Sequence, residues 1–370
     1  MIEVDIRTKI IPDDHRVVVA RPGADYRLYP EFVDKELVGP ELPSLFLEEE
    51  RINPDDPDMV ARIMRSKERR SWHRRGEPAD AVPSEDVEDY DNTSNSQSTR
   101  QFLRLIDFYF KRAKQGDLIV VPPKNFTGDV YIGEFIDDPE HAFKWNSRLY
   151  VGDPLPARRI RWIGKFEKNS LDASILEALR VPTALFSVER SKTDFFYRRA
   201  YRNYHRSGGG FSSLFDVTEK EFNTFHGSVI PAFFNFVAAN TKSIEEAGEI
   251  RGFAEGAFAS LGEYAPDLAI DIQSPGILSI ASPFITPLIA SALLAIAVAV
   301  GADAASPDVV DTIRIGNSSA PASDPCVVDV ERHVHAQLRL LGYDRWAEAC
   351  ERVRAAAKET GLKSESLVKP

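Results

Sequence analysis

Cysteine is nearly absent: Cys326 and Cys350 are the only two in 370 residues, too few for a disulfide framework or a metal knuckle. The chain also lacks GxxxxGK[ST], GxGxxG, GxSxG and HExxH, which removes the phosphate loop, the dinucleotide fingerprint, the nucleophile elbow and the zincin helix. The Gly208–Gly210 run has neither the strand before it nor the lysine after it that a phosphate loop needs. His333 and His335 stand two apart, so on a helix they point to different faces and do not share a metal. Overall positive charge is missing too. Lys and Arg number 46 against 57 Asp and Glu, a net charge of −11, which argues against a chain that coats nucleic acid non-specifically. Nothing at the N-terminus reads as a signal peptide, and a reducing cytoplasm is the expected setting. Between Ile272 and Ala302 no residue is charged, yet Pro283 and Pro287 leave only Leu288 to Val300 unbroken. That is short of the ~20 apolar residues a spanning helix needs. A buried core helix and a kinked membrane-inserted segment both remain open for this run.

What is present is uneven. Residues 100–206 hold 20 Lys/Arg against 13 Asp/Glu, a net of +7, so a polyanion would meet the middle of the chain. Gly116-Asp117 before an apolar run reads as a tight turn into a strand. A second strand is expected at Asp129–Phe135, with Gly133 at a bulge or close approach, and a third at Arg159–Ile163. Pro122-Pro123-Lys124-Asn125 and Gly128 mark the turn between the first two. Ser98-Thr-Arg-Gln101 has the form of a capping box before a helix with Phe102, Leu105, Ile106, Tyr109 and Phe110 on one face. A short helix is expected at Pro57–Met64. The basic run from Arg65 to Arg75 and the acidic run from Glu77 to Asp91 are then expected as a charged surface insertion over about 65–97, either a solvated loop that neutralises its own neighbour or a phosphate-contacting loop.

The order GDLIVVP, YIGEF, RRIRW, then a helix and ALFSV resembles the PUA-like (EVE-like) barrels at the N-termini of Mrr/Mcr-type modified-DNA restriction proteins, from about His15 to Val188. Gly116-Asp117, Ile132-Gly133-Glu134 and Arg161-Trp162 carry the likeness. It implies a PUA-like β-barrel with flanking helices over 1–190; the likeness does not extend to the rest, which reads from its own pattern as a mainly helical C-terminal region and makes the chain α+β. That region divides into a basic-aromatic connector at 191–265 and an apolar segment with terminal helices at 266–370. The nuclease half of those proteins is not visible. Asp267 and Asp271 lack the lysine two residues beyond a second acid, and Glu167-Lys168 is wrongly spaced for the pair that would hold a metal.

The function this implies is a non-enzymatic reader of a modified base or nucleotide-like ligand, in a prokaryotic restriction or anti-phage system. A reader must take the base from its stack and hold it between aromatic faces. Trp162, Tyr131 and Trp145 supply rings, and Gln97, Ser98 and Arg21 supply donors beside a helix N-terminus. Arg158, Arg159 and Arg161 are candidates for the nucleic-acid backbone. So are Arg198, Arg199 and Arg202, in a segment where Tyr197, Tyr201 and Tyr204 would share a helical face. No catalytic residue, metal ligand or cofactor is assigned. A protein partner is expected through the C-terminal region. The rival functions are a membrane-acting effector using 272–302 and a diverged restriction nuclease subunit.

Overall fold

A tight turn at Gly116 (φ 90°) starts the central sheet, and Asp117 holds it by accepting from the Arg16 N–H at 2.9 Å and the Lys114 N–H at 3.0 Å. The strand Leu118–Val121 follows, as the sequence reading expects. In this computed structural model every residue is described except 47–51, 172, 181–183, 220–221, 273–275 and 370. Thr183 to Val188, the stretch that includes ALFSV, reads in the sequence as a closing strand and is found as one at Leu185–Ser187, Thr183 lying outside the described residues; Ser274 and Pro275 of the Ser-Pro-Gly run, which reads as the stop of a strand at 268–272, lie outside them as well.

The fold is α+β, and the chain divides into two units. Residues 14–200 build a sheet that curls into a half-barrel. Its strand order is Leu37–Val38, Leu155–Glu167, Asp129–Phe135, Leu118–Val121, Val17–Ala20, Leu185–Ser187, with Phe143–Trp145 also on the long strand. Val17–Ala20 runs parallel to Leu118–Val121 and the other pairs are antiparallel. The ladder shifts register between Ile132 and Gly133, where a bulge was expected. A Cβ on Gly133 would lie 2.7 Å from Ile160 Cδ1 and 3.1 Å from the Trp162 ring, so any larger residue there would make those two side chains shift. The third strand is 13 residues long, far beyond the expected Arg159–Ile163, and its first four residues, 155–158, are buried on both faces.

Two helices cover this sheet. The helix Gln97–Asp107 is capped by Ser96, two residues before the expected cap, whose Oγ accepts from the Thr99 N–H at 3.1 Å. It continues through a wide turn, Phe108–Arg112, and buries Leu105, Ile106, Tyr109 and Phe110. The helix Met59–Arg75 is a correction to the expected surface insertion. It does not stop at Met64, and Arg65, Ser66 and Arg69 are buried, because each finds a partner far away in the sequence: Arg65 donates to the carbonyls of Glu85 and Ser44, both at 2.8 Å, Ser66 to the Pro43 carbonyl, and Arg69 to Asp153 at 2.8 Å.

The second unit joins residues 1–13 to 201–370. The N-terminal strand Ile2–Asp5 pairs in parallel with Ile313–Gly316 and antiparallel with Leu367–Lys369, and Thr8–Ile11 pairs with Asn203–Arg206. This is why the division differs from the expected boundaries at 190 and 265. It also overturns the expected single helical face of Tyr197, Tyr201 and Tyr204. The helix Thr193–Ala200 stops, and Tyr204 sits in a strand whose ladder partners lie on both sides. In the C-terminal region helices hold more residues than strands, and a six-stranded sheet that accompanies them ends in the hairpin Asp267–Ile272 and Gly276–Ser282.

Helices Thr224–Glu245 and Pro325–Thr360 pack around Thr286–Ala299, the apolar run, whose residues from Thr286 to Leu294 are all buried. The last helix breaks at Gly342 (φ 66°). No described helix is long and apolar enough to cross a membrane.

Candidate functional site

A cavity of about 290 Å³ opens within residues 14–200. One wall is the helix at Gln97–Arg112, which contributes Phe102, Leu105 and Tyr109 at the three-and-four spacing of a single face. The loop after Val17–Ala20 contributes Arg21, Gly23, Ala24, Asp25 and Tyr26; the loop after Leu37–Val38 contributes Gly39, Pro40 and Glu41. Arg70 comes from the basic helix, Lys124 from the turn between the first two central strands, and Ala184 completes the lining.

Local geometry explains these residue types. Gly39 has its backbone against the long strand, where a Cβ would fall 2.1 Å from the Pro156 carbonyl oxygen. Gly23 has φ 73°, and a Cβ there would press on Leu28 and the Glu41 carboxylate at 3.1–3.2 Å. Asp25 (φ 55°) and Tyr26 (φ 61°) follow in the left-handed region, which costs a non-glycine residue free energy. Two such residues in succession, both lining one cavity, mark a loop held in place by its surroundings.

Glu41 is the polar centre, only 4% exposed. It accepts from the Ala24 N–H at 2.6 Å and from the Tyr150 hydroxyl, and Arg70 Nη1 stands 3.9 Å away. Burial first, and the Glu41 charge second, hold the Tyr150 hydroxyl well above its ordinary pKa. Burial likewise pulls the Arg70 guanidinium below its ordinary value, and the Glu41 charge works against that. The Arg70 guanidinium lies 5.0 Å from the Phe102 ring centre and that of Arg21 lies 5.8 Å from Tyr26. Lys168 is 5.8 Å from the same Tyr26 ring and donates to the Pro123 carbonyl at 2.8 Å; burial lowers its pKa. The result is a small hollow in which one buried carboxylate, Glu41, meets several cations.

Of the six ligand residues expected from the sequence, Arg21 lines this cavity. Gln97 and Ser98 sit in the first turn of the expected helix, one turn before the wall formed by Phe102. Trp145 is buried against Phe32, ring centres 6.0 Å apart. Trp162 is half-buried elsewhere on the sheet: its indole N–H donates to the Val33 carbonyl at 3.0 Å, and its ring is 5.2 Å from Tyr131, itself 6.2 Å from Tyr29.

Of the expected backbone contacts, Arg158 is 0% exposed and cannot meet a phosphate. Its guanidinium donates to the carbonyls of Tyr109 at 2.7 Å, Ala113 at 2.9 Å and Asp137, and stacks on Phe135. Arg161 is exposed but paired with Glu134 at 2.7 Å; Arg159 is exposed over Phe143. Arg198 is half-buried, and Arg199 is exposed over the rings of Phe195 and Phe166. Arg202 is held by Glu365 at 2.7 Å and by Asp216. Sequence reasoning missed Glu41, Arg70, Tyr26 and Lys124. The one legible signal was the helical face carrying Phe102, Leu105 and Tyr109.

Among the described residues no group of three His, Cys, Asp or Glu is placed to hold a metal. No family model matches the chain, and comparison with curated proteins and with solved structures finds no match to either.

Proposed function

We propose that residues 14–200 are a PUA-like, EVE-like module of the kind found in Mrr/Mcr-type restriction proteins, and that it binds a nucleobase or nucleotide-like ligand without catalysing a reaction. The observation that carries this reading is the buried Glu41 carboxylate beside Arg70, at the floor of a cavity walled by Phe102 and Tyr109. A base edge presents N–H donors and carbonyl acceptors together, which suits a carboxylate next to a guanidinium. The aromatic wall supplies a face for stacking. At about 290 Å³ the cavity stands at the small end of the ~300–1,000 Å³ range of ligand pockets, a size for one base or nucleoside rather than a longer ligand. Arg21 and Lys124 on its lining give a phosphate something to meet.

Titration of the full chain against nucleoside monophosphates and short oligonucleotides with modified bases tests this. One member of the panel is expected to bind, and Phe102→Ala to weaken it about 5- to 150-fold, the range for loss of one stacking partner. Trp162→Ala should leave that affinity unchanged. If nothing in the panel binds, or if Trp162→Ala weakens binding while Phe102→Ala does not, this assignment of the cavity falls.

A further inference from the structure

The strand Asp267–Ile272 ends the six-stranded sheet, pairing with Gly276–Ser282 on one side and, among the described residues, with no strand on the other. Asp267 to Asp271 are all exposed, Ile270 to 52%. Leu268 and Ile270 lie opposite Ile280 and Leu278, which are fully buried. The core-facing surface of the sheet thus runs out onto an uncovered apolar edge. Alternation along the strand puts Asp267, Ala269 and Asp271 on the other face. Neither carboxylate has an ion-pair or hydrogen-bond partner among the described residues. Residues 252–313 contain no lysine or arginine at all, so the hairpin and its flanks carry only negative charge.

Free strand edges are normally blunted by lysine, proline, a bulge or shortness. This one is six residues long, has no proline, and keeps an unshifted register throughout. Its only guard is the pair of aspartates, and their spacing is selective. A second copy of the strand laid antiparallel about Ala269 would set each Asp267 opposite an Asp271, and like charges directly opposite destabilise a ladder. A strand with basic residues in those two places would instead gain at both.

We propose that this edge docks an extended segment of a protein partner, added as a further strand, with the alternation basic, apolar, any residue, apolar, basic. Main-chain hydrogen bonds would hold it, its apolar residues would continue the face of Leu268 and Ile270, and its cations would meet Asp267 and Asp271. This inference does not depend on the ligand cavity.

The probe is a fluorescein-labelled peptide, Thr-Lys-Val-Thr-Val-Lys-Thr, titrated into the full chain and followed by anisotropy and hydrogen exchange. Binding with new protection at 267–271 is expected. The double variant Asp267→Lys/Asp271→Lys should weaken it about 3- to 30-fold, from two cross-strand charge pairs, and should prefer the peptide with Glu in place of Lys. Ile270→Ser, a milder change at an exposed site, should also weaken binding. The proposal is overturned if the peptide fails to bind, if protection appears elsewhere, or if the charge exchange leaves the preference unaltered. It is overturned as well if sedimentation shows the unaltered chain dimerising through this edge, with the dimer lost in the double variant.

Discussion

Two helices of this protein are buried for opposite reasons. Met59–Arg75 holds seven Lys or Arg residues and Thr286–Ala299 holds none, yet both bury part of their length, in the first case with Arg65 and Arg69 included. The apolar helix needs only shape and the removal of methyl and methylene groups from water. The basic helix needs acceptors for the cations it buries. Arg65 reaches two carbonyls, while Asp153 receives Arg69 at 2.8 Å, His73 at 2.6 Å and the Ser44 hydroxyl. Arg70, on the same helix, turns to Glu41 and the cavity. Burial in the first case is a property of the segment itself, and in the second it is a property of partners up to 84 residues away.

The largest expected effect comes from making the apolar helix obey the rule of the basic one. Leu294 is 1% exposed, so Leu294→Asp places a carboxylate among groups that offer it no partner. An uncompensated buried charge costs several kcal/mol, comparable with the ~5–15 kcal/mol of a whole domain, and soluble folded protein should be lost. Leu294→Met, which conserves volume, should cost under about 1.5 kcal/mol. Circular dichroism of a soluble, folded Leu294→Asp chain would show that the helix is not core. The reverse operation is Asp153→Ala, which strips the basic helix of its shared acceptor. Removing one partner of a buried pair costs about 3–5 kcal/mol, read as a lower midpoint in urea. A loss under about 1 kcal/mol would mean that shape alone seats this helix too.

The same contrast explains what the sequence disclosed. The turn at Gly116-Asp117, the bulge at Gly133 and the apolar helix are local: one or two residues and their immediate neighbours determine them. The aromatic wall of the cavity was legible as helical periodicity at Phe102, Leu105 and Tyr109. Glu41 was not, because a carboxylate in a loop looks solvated until the Ala24 N–H, the Tyr150 hydroxyl and Arg70 are brought around it. Arg158 misled for the same reason. Three residues before Arg161 on the same strand, it falls on the opposite, buried face with Ile160 and finds the carbonyls of Tyr109, Ala113 and Asp137, while Arg161 stays in solvent. The unit that joins residues 1–13 to the C-terminal half was invisible because parallel pairing of Ile2–Asp5 with Ile313–Gly316 spans about 310 residues and leaves no local trace.

The smallest effect reads how tightly the apolar layer is closed, through a thiol that touches it. Cys350 is buried, and its Sγ donates to the Ala297 carbonyl at 3.6 Å. Burial raises its pKa from 9.0 to about 11, with Arg354 opposing. A group whose pKa is higher in the folded chain favours folding most while it is protonated in both states. The contribution is therefore complete below pH 9 and is lost as the pH climbs toward 11, when the unfolded chain ionises and the folded chain does not. The loss is about 1.4 kcal/mol per pH unit, about 3 kcal/mol at most. Urea denaturation of the unaltered chain and of Cys350→Ala at intervals between pH 8 and 11 measures it. The two should run parallel below pH 9 and converge above it, since the variant has no thiol to ionise, whereas curves parallel throughout would show that water reaches Cys350 and that the layer around Ala297 is open.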